Sequence, residues 1–305
     1  MNSHNPTEPP DPDPSAAEAQ AAPSRKPLPT PLEATIAAEL ESLPEPPPLS
    51  AAESRDLGDQ QLAQGNVDEA IQQYRRAMQM DSNDASNHTY LGDAYVYAEQ
   101  SRKAVTHYRR AIKVSPRRAG PHFSLAEVYK RYGKLHAALT EYRKAVECDP
   151  NNAFYHYKLG DCFAALGLSA LGIKELETAR DLRPQDGFYH FWLGDLYARI
   201  GRFQDAITEM QQATLFSPFD AYYNVRLGML YLQASYTGEA AEAFRQAVRL
   251  DPENASYHCL LGDTYARLGY EREALYHYRS AGRLDPYDAA YVERVRRLTA
   301  SKPLT

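Results

Sequence analysis

Apolar positions recur with the same spacing along most of the chain, in seven successive segments of 34 residues that align without insertion or deletion. In segment 187–220, the apolar residues between 193 and 200 follow the i, i+3, i+4, i+7 spacing of an amphipathic helix. Gly201 interrupts this stripe, and a second stripe covers residues 206–214 before Pro218 ends it. Each segment is therefore predicted to form a pair of helices joined by a short turn.

Small residues occupy constant positions in the segments and mark the places where two helices must approach closely. The eighth position is glycine in six segments, the twenty-seventh is alanine in all seven, and the twentieth is alanine in six, with Gly172 as the exception. Leucine fills the seventh position throughout, an aromatic ring fills the eleventh in six segments, and proline closes six. The segments are residues 51–84, 85–118, 119–152, 153–186, 187–220, 221–254 and 255–288.

This order of leucine-glycine, an aromatic ring, two alanines and a final proline resembles the tetratricopeptide repeat (TPR). The resemblance covers 238 of the 305 residues. It implies an all-α solenoid, in which each repeat contributes two antiparallel helices to a right-handed superhelix whose concave groove is lined by the first helices. Because no single pair can close a core, stability is predicted to be a sum of repeat terms and neighbour terms.

The two ends of the chain differ from the repeats. Residues 1–50 contain 13 of the 21 prolines and eight acids against two bases, so this segment carries the whole formal charge of −6 and is predicted to be disordered. Within it, residues 32–43 have apolar residues at helical spacing, which fits a transient helix, a cap over the first repeat, or a docking motif for a partner. At the other end, residues 289–305 are predicted to form a C-terminal capping helix and tail.

The side of each first helix that packing does not use is expected to carry the function. With about 100° per residue, positions two, five, nine and thirteen lie opposite the packing positions, and the family lines its groove with them. The ninth position is acidic in six repeats, at Asp59, Asp93, Glu127, Asp161, Asp195 and Asp263. Such a row would favour a basic ligand segment. Alternatively, the acids are ordinary solvated residues, partly offset by arginines of the thirteenth position, Arg131, Arg199 and Arg267.

Aromatic residues accompany the acids in the fourth to sixth repeats. They are Phe154, Tyr157, Phe188, Phe191 and Tyr222, with Trp192 at the edge. An exposed aromatic strip is typical of a binding surface. The alternative is that some of these rings pack between successive first helices.

Two specialised roles are disfavoured. Family members that bind chaperone tails grip a terminal carboxylate with lysine and asparagine at the groove positions, whereas acids stand here where the asparagine is expected. Histidine fills the fourth position of five repeats, but equivalent residues of adjacent repeats lie about 10 Å apart, and zinc ligands lie about 2 Å from the metal. These histidines are predicted to be packing residues, and buried neutral rings would make the stack sensitive to mild acid.

The remaining composition excludes several classes of function. The second repeat has seven bases and two acids, which fits docking of an acidic protein or simple solvation better than tracking of phosphates, so no nucleic-acid partner is expected. The three cysteines lack C-x-x-C spacing, and the sequence has no catalytic or phosphate-binding motif, so no enzyme, cofactor or metal site is predicted. No apolar run approaches the roughly 20 residues of a membrane span, and no signal peptide precedes the repeats, so a cytoplasmic location is expected.

The predicted function is that of a protein-interaction scaffold whose acidic and aromatic groove binds a segment of a partner protein with basic and aromatic character. The alternative is a structural subunit that assembles with itself or with a larger complex through the edges of the solenoid.

Overall fold

The computed structural model of the protein describes residues 49–300, and these residues form fifteen α-helices. The predicted disorder of residues 1–50 and the possible helix at 32–43 fall, apart from Leu49 and Ser50, outside the described residues. The helices are α1 (Ala51–Ala63), α2 (Val67–Met80), α3 (Ala85–Tyr97), α4 (Ser101–Val114), α5 (Ala119–Arg131), α6 (Leu135–Cys148), α7 (Ala153–Ala165), α8 (Ser169–Leu182), α9 (Gly187–Arg199), α10 (Phe203–Phe216), α11 (Ala221–Gln233), α12 (Thr237–Leu250), α13 (Ala255–Arg267), α14 (Glu271–Leu284) and α15 (Ala289–Ala300).

The helices form seven pairs and a terminal helix, which confirms the predicted all-α solenoid and its C-terminal capping helix. Each first helix begins at the first residue of a 34-residue segment. Most first helices start behind an aspartate or asparagine whose side chain accepts a backbone N–H of the first turn, as Asp186 does from Phe188 and Asn152 from Phe154. The sequence period therefore coincides with the capping chemistry that starts each pair.

Glycine at the eighth position lets an aromatic ring of the second helix lie against the first helix. A Cβ atom on Gly92 would lie 2.5 Å from Cε1 of Tyr108, which leaves no room for any side chain. The same contact joins Gly58 to Tyr74 and Gly262 to Tyr278. The small residues therefore fix how closely the two helices of a repeat approach each other.

The fourth repeat packs differently, because glycine stands at both small positions. A Cβ atom on Gly172 would lie 2.9 Å from the carbonyl oxygen of Gly160, and the converse distance is also 2.9 Å. Leu176 takes the place that tyrosine has in the first three repeats and the seventh, and it is buried. Helices α7 and α8 thus meet backbone to backbone, which explains why Gly172 departs from the alanine series.

The apolar core runs along the stack from pair to pair. Its largest cluster extends from Ala153 in the fourth repeat to Ala243 in the sixth, so that the core of one repeat is continuous with those of its neighbours. At the end of the stack, Tyr291 of α15 is 6% exposed and packs with Cys259 and Tyr278. Each pair therefore buries its apolar face on the adjacent pairs, and α15 covers the last one.

Candidate protein-interaction surface

The first helices α1, α3, α5, α7, α9, α11 and α13 line one face of the stack, which we call the first-helix groove. In its first three repeats the groove contains a cavity of about 620 Å³. Asp59, Asp93 and Glu127 line this cavity together with Tyr90 and Phe123. The ninth-position acids and the fifth-position ring of the third repeat therefore face the same space.

Tyrosines of the second helices hold four of the six acids. The hydroxyl of Tyr74 donates to Asp59 over 2.5 Å, that of Tyr108 to Asp93 over 2.6 Å, and that of Tyr278 to Asp263 over 2.7 Å. Tyr142 donates to Glu127 in the same way. In these four repeats the ninth position is thus part of a partly buried hydrogen bond between the two helices.

The sixth repeat lacks both members of this hydrogen bond. Phe244 replaces the tyrosine there, and Met229 replaces the acid. A phenylalanine cannot donate to a carboxylate, and a methionine does not require a donor. The fourth and fifth repeats keep the acid, at Asp161 and Asp195, although Leu176 and Met210 replace the tyrosine, and in these two repeats the acid pairs with a cation instead.

Cations of neighbouring repeats neutralise four of the acids. Lys158 lies 3.0 Å from Glu127, Arg294 lies 2.9 Å from Asp263, and Arg226 pairs with Asp195. In these three pairs the cation is the sixth residue of the helix that begins the following element, which is α15 for Arg294. The three cations are spaced 68 residues apart. The fourth acid is Asp161, which pairs with Lys130 of the preceding repeat.

The acids are therefore neutralised by the sixth and twelfth positions rather than by Arg131, Arg199 and Arg267. Each of these arginines is the last residue of its helix, where its charge lies next to the negative end of the helix dipole. Asp59 and Asp93, in the first two repeats, are the acids of this row that have a tyrosine but no cation among residues 49–300. Burial raises the pKa of the Asp93 carboxyl, and Asp59 is exposed.

The predicted aromatic residues divide into exposed and buried rings. Phe154 is 40% exposed and Tyr222 is 51% exposed, while Phe188 and Trp192 are half-buried. Tyr157 and Phe191 are only 8% and 6% exposed, because they pack between successive first helices.

The rings form a continuous series along the groove. Tyr157 lies 5.7 Å from Phe154 and 4.9 Å from Phe188, measured between ring centroids. Phe123 of the third repeat, which is not among the predicted rings, lies 5.6 Å from Phe154 and extends the series. We call Phe123, Phe154, Phe188, Trp192 and Tyr222 the aromatic surface. The buried rings of Tyr157 and Phe191 pack against members of this surface and fix their positions.

The fourth-position histidines are buried, and each ring nitrogen has a partner. In all five repeats Nε2 lies 2.9–3.2 Å from the backbone carbonyl six residues earlier. In the third to fifth repeats, Nδ1 meets a glutamate of the second helix, as in the 2.7 Å contact of His156 with Glu175. In the second and seventh repeats it meets another histidine, His107 or His277. These histidines are packing residues that fix how the two helices of a repeat dock.

The two arrangements shift the pKa in opposite directions. Burial, with repulsion from the neighbouring ring, lowers the pKa of His107 and of His277 to about 4. The hydrogen bond to Glu175 raises the pKa of His156. For His190, burial acts to lower the pKa, but the bonds to Glu209 and to the carbonyl of Pro184 raise it overall.

We expect acidification to act differently on different repeats. Below the unfolded pKa of about 6.5, an unfolded second or seventh repeat binds protons that the folded one excludes, so each loses about 1 kcal/mol by pH 5 once screening by solvent is included. The contributions of His156 and His190 are fully present below pH 6.5 and are lost as the pH rises through their raised folded values. Hydrogen exchange measured repeat by repeat between pH 7.5 and 5 tests this, with His107→Gln as control. Uniform loss of protection in all repeats would contradict it.

The described residues contain no grouping of three or more histidine, cysteine, aspartate or glutamate side chains suited to a metal ion. Within the same part of the chain, no helix combines the length and the apolar character needed to cross a membrane. Cys148, Cys162 and Cys259 are free thiols.

Two family models match the sequence. One is described as TPR repeat and matches residues 58–98, 92–133, 129–167 and 237–269, and the other is described as Tetratricopeptide repeat and matches residues 157–221. Together these matches cover more than half of the chain. No curated protein matches the sequence.

Solved structures of helical repeat proteins are similar to the chain. A tetratricopeptide repeat protein from Parabacteroides merdae has a TM-score of 0.56 at 14% identity, over 82% of this chain and 98% of that one. YrrB, described as a TPR protein with an unusual peptide-binding site, has a TM-score of 0.52 at 22% identity, over 62% and 97%. The MamA protein has a TM-score of 0.51 at 23% identity, over 57% and 94%. At these identities the similarity concerns the fold.

Proposed function

Because the chain belongs to the tetratricopeptide repeat family, we propose that it is a protein-interaction scaffold whose first-helix groove binds a segment of a partner protein. The observation that carries this proposal is the aromatic surface. Phe154 and Tyr222 expose 40% and 51% of their area on rings that buried neighbours hold in place. Rigid, exposed rings contribute strongly to binding because they bury a large area at little entropic cost.

The chemistry of the groove suggests the character of the partner segment. Within the described part of the chain, no cation pairs with the carboxylates of Asp59 and Asp93, whereas each of the other four acids has one. Attraction for a basic residue is therefore concentrated in the first two repeats. The aromatic surface lies in the third to fifth repeats and reaches Tyr222 in the sixth. A segment with a lysine or arginine at one end and apolar side chains at the other would match both regions.

An array of peptides of about 15 residues, probed with the labelled full chain, tests this proposal. We expect a double variant, Phe154→Ala with Tyr222→Ala, to bind the selected peptides about ten-fold less tightly or worse. The matched control is Phe219→Ala with Tyr287→Ala, which removes the same two ring types from positions that are 87% and 96% exposed outside the groove. If both double variants weakened peptide binding equally, the proposal that the first-helix groove binds the partner would be refuted.

The charge contribution is tested separately. We expect Asp59→Asn to weaken peptides that contain lysine or arginine by about two- to five-fold at low salt, and less at high salt. Asp161→Asn is the comparison. Because Asp161 already pairs with Lys130, this substitution should weaken binding less than Asp59→Asn does. If neither substitution changed the affinity for basic peptides, the carboxylates would not contribute to binding. The proposal would then rest on the aromatic surface alone.

Self-assembly through the end of the stack is the second candidate function. Val292 of α15 is 57% exposed and lines a cavity of about 650 Å³ between α14 and α15. Tyr287, in the turn before α15, is 96% exposed. Light scattering tests it, since a mass that stays monomeric at high concentration would exclude it.

The free thiols also fit a reducing compartment, and we propose that the protein is cytoplasmic.

A further inference from the structure

Helix α4 has a charge pattern that differs from every other second helix of the stack. It contains Arg102, Lys103, Arg109, Arg110 and Lys113 and no acid. The flanking second helices α2 and α6 each contain two acids and two bases, so their formal charges cancel. The positive charge of the second repeat is therefore confined to one helix.

The position of these charges is unfavourable for the helix itself. Arg102 and Lys103 lie in the first turn, where the helix dipole favours acids. The second helices of the first, fifth, sixth and seventh repeats place aspartate or glutamate there. A local arrangement that opposes stability without a structural gain is typical of a functional site.

The cations of α4 are not used in ion pairs within the described residues. Arg109 donates to the hydroxyl of Tyr129 over 2.9 Å, and Lys103 donates to the side-chain oxygen of Gln100 over 2.6 Å. Arg102, Lys103 and Arg109 are all exposed. Their charges are thus available to an anionic ligand.

These cations border a groove with an apolar floor. The groove lies between α4 and the end of α5, has a volume of about 790 Å³, and is lined by Val105, Tyr129 and Tyr132. Tyr132 is 57% exposed, and its hydroxyl donates to Ser101 over 2.7 Å, which ties the end of α5 to the start of α4. We call this surface, with Arg102, Lys103 and Arg109 at its rim, the basic groove.

The basic groove is separate from the aromatic surface. Its lining shares only Glu99 and Val128 with the cavity of the first-helix groove, and none of its residues belongs to the aromatic surface. A ligand in one groove therefore does not have to displace a ligand in the other.

The shape and charge of the basic groove favour a peptide over a nucleic acid. The positive charge extends over the 14 residues of α4, or about 21 Å, and does not continue onto α2 or α6 as a track for a phosphate backbone would. The apolar floor gives no advantage to phosphates, but it can bury an aliphatic or aromatic side chain. Carboxylates on either side of that side chain would reach the cations at the rim.

We propose that the basic groove is a second protein-binding site, which takes an acidic peptide segment with an aliphatic or aromatic side chain between its carboxylates. Binding of the full chain to a fluorescein-labelled peptide containing Glu-Glu-Leu-Phe-Glu-Glu, followed by fluorescence anisotropy, tests it. We expect this peptide to bind about ten-fold more tightly than one with serine in place of leucine and phenylalanine.

Two double variants with the same chemistry locate the site. Arg102→Glu with Arg109→Glu is expected to weaken binding by about ten-fold or more. Arg245→Glu with Arg249→Glu reverses two exposed arginines of α12, the second helix of the sixth repeat, and is expected to leave binding unchanged. The first variant should still fold, because an acid at position 102 suits the helix dipole, and its melting curve checks this.

Further outcomes decide the class of ligand. Tyr132→Ala should weaken the Leu-Phe peptide and not the serine peptide, since it removes part of the floor. Binding of single-stranded oligothymidine that equals or exceeds peptide binding would overturn the proposal in favour of a nucleic-acid site. Failure of the wild-type chain to bind the Leu-Phe peptide, or indifference to Arg102→Glu with Arg109→Glu, would also overturn it. The variant Phe154→Ala with Tyr222→Ala should bind this peptide normally.

Discussion

Replacing Gly172 with alanine is expected to lower the free energy of unfolding by about 1 to 3 kcal/mol, although alanine stands at this position in the other six repeats. Helix propensity alone would predict a gain of about 1 kcal/mol. The new Cβ atom, however, would lie 2.9 Å from the carbonyl oxygen of Gly160 and 3.2 Å from Cδ2 of Leu196. A leucine methyl can move aside, but the backbone of α7 cannot do so without opening the core between the fourth and fifth repeats.

Urea denaturation of the full chain measures this effect. Gly282→Ala is the matched control, because Gly282 also lies in a second helix and an added Cβ atom would meet its nearest neighbour, Tyr291, at 3.7 Å, an ordinary contact. We expect this control to be neutral or stabilising by up to about 1 kcal/mol. If Gly172→Ala stabilised the protein as much as Gly282→Ala, the close approach of α7 and α8 would be refuted.

Removing the hydroxyl of Tyr108 is expected to cost about 1 to 3 kcal/mol, and removing its acid as well is expected to restore most of that loss. Asp93 accepts from Tyr108 over 2.6 Å and from Ser124 over 3.4 Å. Burial and the adjacent carboxylate raise the pKa of Tyr108, so the hydroxyl stays protonated and remains a donor. Tyr108→Phe therefore leaves a partly buried carboxylate with a single weak donor.

The sixth repeat supplies the design of the compensating change, since Phe244 and Met229 occupy these two positions there. Asp93→Met alone should be destabilising, because it leaves the hydroxyl of Tyr108 without its acceptor at a residue that is 1% exposed. The double variant, Asp93→Met with Tyr108→Phe, should lie within about 1 kcal/mol of the wild type. Denaturation of all four proteins gives the coupling energy, and additive losses would mean that the pair does not act as a unit.

The fold could be predicted from the sequence because the repeat positions are packing positions. A 34-residue period with glycine, alanine and proline at constant places determines where helices begin, end and touch. The same reasoning identified Gly172 as an exception but not its cause, because the contact with Gly160 depends on the distance between two backbones. The group that lies against the eighth-position glycine differs between repeats, from Tyr108 at Gly92 to the backbone of Gly172 at Gly160.

The candidate site was less predictable. A helical wheel places the ninth position in the groove, yet it does not show that Tyr74 or Tyr278 reaches across to hold Asp59 or Asp263. The partners of the acids lie 15 or 31 residues away, so they become evident only when two helices or two repeats are placed side by side. Likewise, the packing of successive first helices decides which rings of the aromatic series are buried.

The ion pairs between repeats have a consequence for how the chain can change in length. Because Lys158, Arg226 and Arg294 stand 68 residues apart, the third, fifth and seventh repeats each present an acid to a cation of the following element. Loss of the fourth and fifth repeats together would set Glu127 beside Arg226, whereas loss of the sixth repeat alone would leave Asp195 beside Leu260. We therefore expect natural relatives to gain or lose these repeats two at a time, although each repeat folds as one pair of helices.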